Sequence, residues 1–183
     1  MSRIPTPAVI EAAPAASRPL LEAVQRQLGL VPNLFRLVAN SPAALEGYLG
    51  MQTALGKGAL PAPTRERIAL AVAEINGCGY CLSAHTYLAS KLAGLDDTEI
   101  AANRAGGSRD TKANAAVRFA AAVARARGHI RQEDLTAVRA AGYDDAQIIE
   151  MVQHVALNTW TNYINEVAQT DIDFPVAPAR MAA

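Results

Sequence analysis

Apolar residues recur along most of this chain at intervals of three and four, and almost nowhere in alternation, so the pattern predicts helices and no sheet. Ala, Leu, Glu, Gln and Arg dominate, and runs rich in β-branched residues are missing. A short helix is expected over 18–28, closed by Gly29. Ser41 and Pro42 read as an N-cap and a first helical residue, opening a helix that runs to about Leu55 and ends at Gly56 and Gly58. Pro61 and Pro63 are expected to hold off the next helix until Thr64, its N-cap. Ile68, Leu70, Ala71, Val72 and Ile75 mark that helix as buried, and Asn76-Gly77 punctuates it. A further helix spans about Gly79 to Ala93, and others cover about 111–127, 132–141 and 145–169. Residues 1–17 carry Pro and Ala without a helical period and are expected as an extended N-terminal arm. Residues 18–183 are expected as a single all-helical domain, an all-α multi-helix bundle whose many alanines let helices approach closely.

Two finer patterns stand out. Ala93-Gly-Leu-Asp-Asp-Thr-Glu-Ile100 echoes Ala141-Gly-Tyr-Asp-Asp-Ala-Gln-Ile148 at a period of 48 residues. Both copies read as a helix closed by glycine and a new one opened by aspartate. Glu99 and Gln147 stand where a capping box places them relative to Asp96 and Asp144. Convergent cap chemistry and duplication both account for the echo. The last helix carries two stripes: Val152, Val155, Ala156, Trp160, Tyr163, Ile164 and Val167 on one side, and His154, Asn158, Asn162 and Asn165 on another. A solvent face normally carries Lys and Glu. Amides there suggest a polar seam in a subunit interface or beside an active pocket, or else ordinary capping and surface hydrogen bonds. Trp160 reads as a core or interface anchor.

Charge narrows the function classes. With 17 basic and 17 acidic residues the formal net charge is zero, and no basic patch argues for nucleic acid. No apolar run approaches the roughly 20 residues of a membrane span, and Pro5, Pro7 and Pro14 interrupt any signal-peptide core. A cytoplasmic protein without membrane or nucleic-acid partners is expected. No glycine-rich phosphate loop or nucleophile elbow is present, and Gly106-Gly107-Ser108 reads as a loop between helices.

The chemistry concentrates in Asn76-Gly-Cys78-Gly-Tyr-Cys81-Leu-Ser-Ala-His85, which holds both cysteines of the chain. On a helix their spacing brings Cys78, Cys81 and His85 onto one face. Two thiols so placed can close a disulfide where the backbone suits it, and an adjacent imidazole can take a thiol proton. Three readings stand side by side. The cysteines could be small buried residues. They could join His85 and Glu74, or a water, around a metal, although structural zinc wants four protein ligands and no second cysteine pair exists. They could be a redox dithiol.

The third reading carries a resemblance. Glu66, then eleven intervening residues, then Cys78, Cys81 and His85 match the redox signature of the alkylhydroperoxidase D-like family, also called the carboxymuconolactone decarboxylase-like superfamily. The likeness covers about residues 40–110. Asn158-Thr-Trp-Thr-Asn-Tyr-Ile-Asn165 and Asp173-Phe-Pro175 resemble the longer, peroxidase-related members. The resemblance implies an all-α alkylhydroperoxidase D-like fold and a peroxidase acting on hydrogen peroxide or organic hydroperoxides. Cys81 would be the peroxidatic cysteine and Cys78 the resolving one; His85 would accept the Cys81 proton, and Glu66 would orient His85. Glu74 is an alternative carboxylate, and either glutamate could instead pair with Arg65, Arg67 or Lys91. Tyr80 stands where the best-known member has a histidine; a phenol does not titrate near neutral pH, so it is a support or a packing residue. No organic cofactor and no metal are implied. The implied partners are an external dihydrolipoyl or thioredoxin-like reductant and a second copy of the chain, with a dimer first and a trimer or hexamer as alternatives. A carboxymuconolactone decarboxylase-like enzyme, whose relatives characteristically lack the cysteine pair, and a non-enzymatic redox sensor or binding module are the rival readings.

Overall fold

In the computed structural model, which describes residues 2–180, helix α4 (Ala62–Ile75) is the element around which the others are arranged. Ile68 to Ala73 are buried without interruption, so this helix is covered on all sides. Its neighbours are α5 (Gly79–Lys91), α6 (Asp97–Arg104), α7 (Thr111–Ala126) and α9 (Asp145–Ala168). Ala69, Ala71 and Ala73 supply the small side chains that allow so many helices to approach one axis. The remaining helices are α1 (Arg18–Leu28), α2 (Asn33–Val38), α3 (Pro42–Gly56) and α8 (Gln132–Ala140), and no strand occurs among the described residues. The protein is all-α, as its periodicity requires. Among the described residues no helix is long and apolar enough to cross a membrane.

Most boundaries fall within a residue or two of expectation, and three features differ. Helix α4 begins at Ala62, not after Thr64. Pro61 is its N-cap and Pro63 lies in its first turn, where a missing N–H costs nothing because those donors have no intrahelical partner. Thr64 is a buried residue inside the helix. Helix α2 was not foreseen; its six residues are too few to show a period, and Leu34, Phe35, Leu37 and Val38 are buried together. Residues 2–17 are not extended throughout, and Met1 lies outside the described residues. They form two 3-10 turns, Ile10–Ala12 and Ala15–Ser17, and lie against the helices: Arg3 N donates to Ala168 O at 2.6 Å and Ser17 Oγ to Ala39 O at 2.7 Å.

The two echoed segments differ where it matters. At Asp144 the capping box is complete. At Asp96 only half of it forms: Asp96 Oδ1 accepts from Glu99 N at 2.7 Å, but the Glu99 carboxylate turns elsewhere. It accepts from Arg67 Nε, Asn103 Nδ2, Ser108 Oγ and Arg109 N, tying α4, α6 and the loop before α7 together.

Helix α9 inverts the usual arrangement. His154, Asn158, Asn162 and Asn165 are buried, whereas Ile149, Val152, Ala156, Trp160, Tyr163 and Val167 lie exposed on the opposite side of the same helix. The asparagines of this helix therefore face the core, beside the buried Ile148, Met151 and Val155, while Gln153 lies exposed.

Glu99 makes an acid-sensitive clasp. Burial pushes its carboxyl up, but the hydrogen bonds from Ser108, Asn103, Arg67 and Arg109 outweigh burial and hold it down at about 2. A carboxyl with a lowered folded-state pKa contributes stability above its unfolded pKa of about 4.3 and loses it as pH falls toward the folded value. Glu99→Gln should lower stability by about 2 kcal/mol near neutral pH. That difference from wild type should shrink steadily between about pH 4 and pH 2 in thermal melts. A constant difference across that range would remove Glu99 from the acid response.

Candidate active site

The junction between α4 and α5 builds the site. Gly77 adopts φ +70°, a left-handed conformation that suits glycine. Around it Gly77 N donates to Glu74 O at 3.2 Å and Cys78 N to Ala73 O at 3.0 Å. This is the double bond pattern that closes a helix through a left-handed residue. Cys78 thus ends one helix and begins the next: it is the N-cap of α5, and its Sγ accepts from Cys81 N at 3.2 Å. A sulfur takes the place usually held by a hydroxyl or carboxylate. Cys81 lies in the first turn of α5, where the unpaired N–H groups favour negative charge.

The two sulfurs stand 2.6 Å apart, with Cys78 fully buried and Cys81 3% exposed. Both are free thiols. Their titrations are driven apart. The Cys78 S–H bonded to Cys81 favours the Cys81 thiolate; burial opposes this, while the His85 charge and the Asn162 and Asn165 amides assist it, and Cys81 falls to about 7. Cys78 is pushed well up, by its bond to Cys81 first and by burial second. Cys81 is therefore the thiol that ionises first.

One turn along α5, His85 Nδ1 lies 2.9 Å from Glu66 Oε2 on α4. Burial pulls the imidazole down, but Glu66, Cys81 and Asn158 favour the cation, and the net shift is upward. The neighbours of Glu66 are engaged elsewhere: Arg65 Nη1 donates to the carbonyls of Leu55 and Gly56, and Arg67 pairs with Glu99. Glu66, Cys78, Cys81 and His85 are thus brought together.

Glu74 and Tyr80 are placed differently. Glu74 Oε2 accepts from Arg104 Nε at 2.6 Å and its Oε1 from Arg180 N at 2.6 Å, so this carboxylate braces α4 against α6 and the C-terminal tail rather than supporting His85. The same two bonds occupy the carboxylate that the metal reading would need as its fourth ligand. Tyr80 is one residue from Cys81 and hence about 100° round the helix. Its hydroxyl accepts from Leu34 N at 3.1 Å, and its ring meets Phe174 edge-on at 5.8 Å. The tail covers this side of α5, with Ala177 N donating to Ser83 Oγ at 3.0 Å. Tyr80 anchors α2 and the tail.

The C-terminal helix adds residues that spacing around the cysteines did not reveal. Asn165 Nδ2 donates to Cys81 Sγ at 3.3 Å. Asn162 Oδ1 accepts from Asn76 Nδ2 at 2.8 Å and so pins the α4–α5 junction. The signal for both was the uncharged amide stripe. Tyr48 of α3 had no signal at all. It stacks on Phe35 at 5.4 Å and on Trp160 at 5.3 Å, and burial, then the charges of Cys81 and Glu66, push its phenol up. His154 is buried and neutral: desolvation and the nearby Arg65 hold it down at about 4.

Residues 42–126 match the model of the carboxymuconolactone decarboxylase family. The uncharacterised peroxidase-related protein of Ralstonia eutropha JMP134, described as an alkylhydroperoxidase AhpD core, superposes with a TM-score of 0.83 at 24% identity, over 94% of this chain and 92% of that one. A peroxidase-related protein of Silicibacter sp. TM1040 follows at 0.78 and 26% identity, over 91% of each chain. The debrominase Bmp8 shares the fold at 0.76 and 21% identity, over 92% of this chain and 91% of that one. Comparison with curated proteins yields no match.

The geometry makes the pH dependence of the thiol a test of the histidine. Alkylation of Cys81 by iodoacetamide should rise through about pH 7. In His85→Ala the rise should move to higher pH, because the cation favouring the thiolate is lost. An unchanged alkylation profile would separate His85 from Cys81.

Proposed function

We propose that this chain, whose residues 42–126 match the carboxymuconolactone decarboxylase family model, is a thiol-dependent peroxidase reducing hydrogen peroxide or organic hydroperoxides with its cysteine pair. The observation that carries the reading is the contact of Cys78 with Cys81, set beside the His85–Glu66 pair. His85 takes the Cys81 proton, and Glu66 holds the imidazole in place and balances its charge. The thiolate attacks the terminal oxygen of the hydroperoxide. An S–O bond forms, the O–O bond breaks, and the departing alkoxide takes a proton from the imidazolium. Cys81 is left as a sulfenic acid. Cys78 then attacks the Cys81 sulfur, and the sulfenic oxygen leaves as water. Two thiols and one hydroperoxide have become a disulfide, an alcohol and a water. An external dithiol, such as a dihydrolipoyl or thioredoxin-like protein in a reducing cytoplasm, returns the two electrons and two protons.

The decarboxylase alternative has no use for the paired sulfurs. A redox sensor would use the first oxidation but not the return. Cys81→Ser should abolish peroxide consumption. Cys78→Ser should consume one equivalent and stop, with the sulfenic acid trapped by a dimedone-type reagent. Equal full activity in both variants would refute the mechanism. Turnover of a bromopyrrole without peroxide consumption would replace the peroxidase reading by a dehalogenating one. Oxidation that no reductant in a dithiol panel reverses would leave a sensor.

We further propose a homodimer formed through α9. Trp160 is 38% and Tyr163 59% exposed in a continuous apolar stripe from Ile149 to Val167, a surface that another apolar helix would cover well. Tyr163→Glu should convert the protein to monomers in light scattering. A wild-type monomer at micromolar concentration, or a Tyr163→Glu dimer, would exclude this face.

A further inference from the structure

Two amide atoms beside Cys81 lack hydrogen-bond partners. Asn162 is fully buried, and while its Oδ1 holds Asn76, its Nδ2 has no partner. Asn165 is 1% exposed, and while its Nδ2 holds the Cys81 sulfur, its Oδ1 has none. The residues are three apart on α9 and share one face of the helix. The Asn162 amide already weighs on the Cys81 sulfur as a hydrogen-bonding group that favours the thiolate, although no acceptor stands in full hydrogen-bond geometry with Nδ2. Buried polar atoms are nearly always paired, and an unpaired one is costly, so two in one site require an explanation.

The unmet atoms are one donor and one acceptor. Together they complement a group that accepts through its oxygen and donates through its own hydrogen, which is the chemistry of an O–H. We propose that Asn162 Nδ2 and Asn165 Oδ1 recognise the terminal O–H of a hydroperoxide, fixing the oxygen that Cys81 attacks. This rests on the peroxidase reading and names the residues that bind its reacting group. The Asn162 N–H donates to the terminal oxygen, and that oxygen's hydrogen is donated to Asn165 Oδ1. When sulfur attacks, the S–O bond forms and the O–O bond breaks. The alkoxide leaves with the His85 proton, and the oxygen stays between the amides as the sulfenic hydroxyl. It is then held in place while Cys78 attacks the sulfur. An amide donor suits this role because it carries no charge and does not titrate as Cys81 does.

The test compares two oxidants of the same sulfur. Cumene hydroperoxide carries the O–H; 4,4′-dithiodipyridine reacts with the thiolate and has none. Stopped-flow rates for both are measured across pH and expressed per thiolate, in wild type, Asn162→Ala and Asn162→Gln. The glutamine variant keeps an amide but moves it, so it serves if alanine perturbs folding. The hydroperoxide rate should fall about tenfold or more in both variants, while the dithiodipyridine rate should change by less than about twofold. Equal falls with both oxidants would mean that the amide only tunes the sulfur, and an unchanged hydroperoxide rate would mean that it holds only structural water; each overturns the inference. A wild-type protein that reacts with dithiodipyridine but with no hydroperoxide would remove the peroxidase reading itself, and this inference with it.

Discussion

The left-handed turn at Gly77 is the constraint on which the site depends. It lets α4 end and α5 begin within three residues, so that the carboxylate of one helix and the thiols of the next share a small volume. A β-carbon there would add about 1–2 kcal/mol of backbone strain, although nothing blocks the space around it. Gly77 is thus required for its dihedral angle and not for room. The turn also decides which sulfur does what. Cys78, as N-cap, receives a backbone N–H and offers its own hydrogen to Cys81. Cys81, in the first helical turn, gains the positive end of the helix, the imidazole and two amides. Chemically identical side chains thus differ by position alone in which of them ionises first.

Placing this chemistry in the centre has a consequence for α9. A helix that packs on a thiol and an imidazole whose charged forms are both favoured cannot present leucine to them, because an unmatched buried charge costs far more than a lost apolar contact. It presents His154, Asn158, Asn162 and Asn165 instead. These side chains are polar but uncharged, and supply hydrogen bonds without adding a competing carboxylate. Trp160 lies on the other side of α9, yet its ring meets that of Tyr48 of α3 at a tilt, so the outer stripe and the site are joined by one aromatic contact.

What could be read from the chain follows from how local each feature is. Caps at Ser41, Asp96, Asp110 and Asp144, and stops at Gly29 and Gly77, act through neighbours in sequence, and the helices they bound were legible. The CxxC and His85 spacing was legible for the same reason, since one helix carries all three. Glu66 needed the family pattern, because its contact with His85 crosses from α4 to α5. The family spacing favoured Glu66 over Glu74, and the structure separates them by what lies opposite, His85 for Glu66 and Arg104 for Glu74. Glu99 matched a capping box and then declined half of it, because four donors from elsewhere outbid one backbone N–H. Tyr48 gave no sign, as nothing about an isolated tyrosine shows which sulfur it will lie beside.

Helix α5 resolves the departure from the family pattern between its cysteines. Its two faces have different owners. Cys81 and His85 turn toward α4 and α9, while Tyr80, Ser83 and Tyr87 turn toward α2 and the tail. A side chain at position 80 is thus directed away from Cys81 and His85. Tyr80 instead fastens two peripheral segments over the buried sulfurs, through Leu34 N and Phe174. The sulfurs are enclosed on that side, and the partly exposed pair of the site is His85 and Glu66.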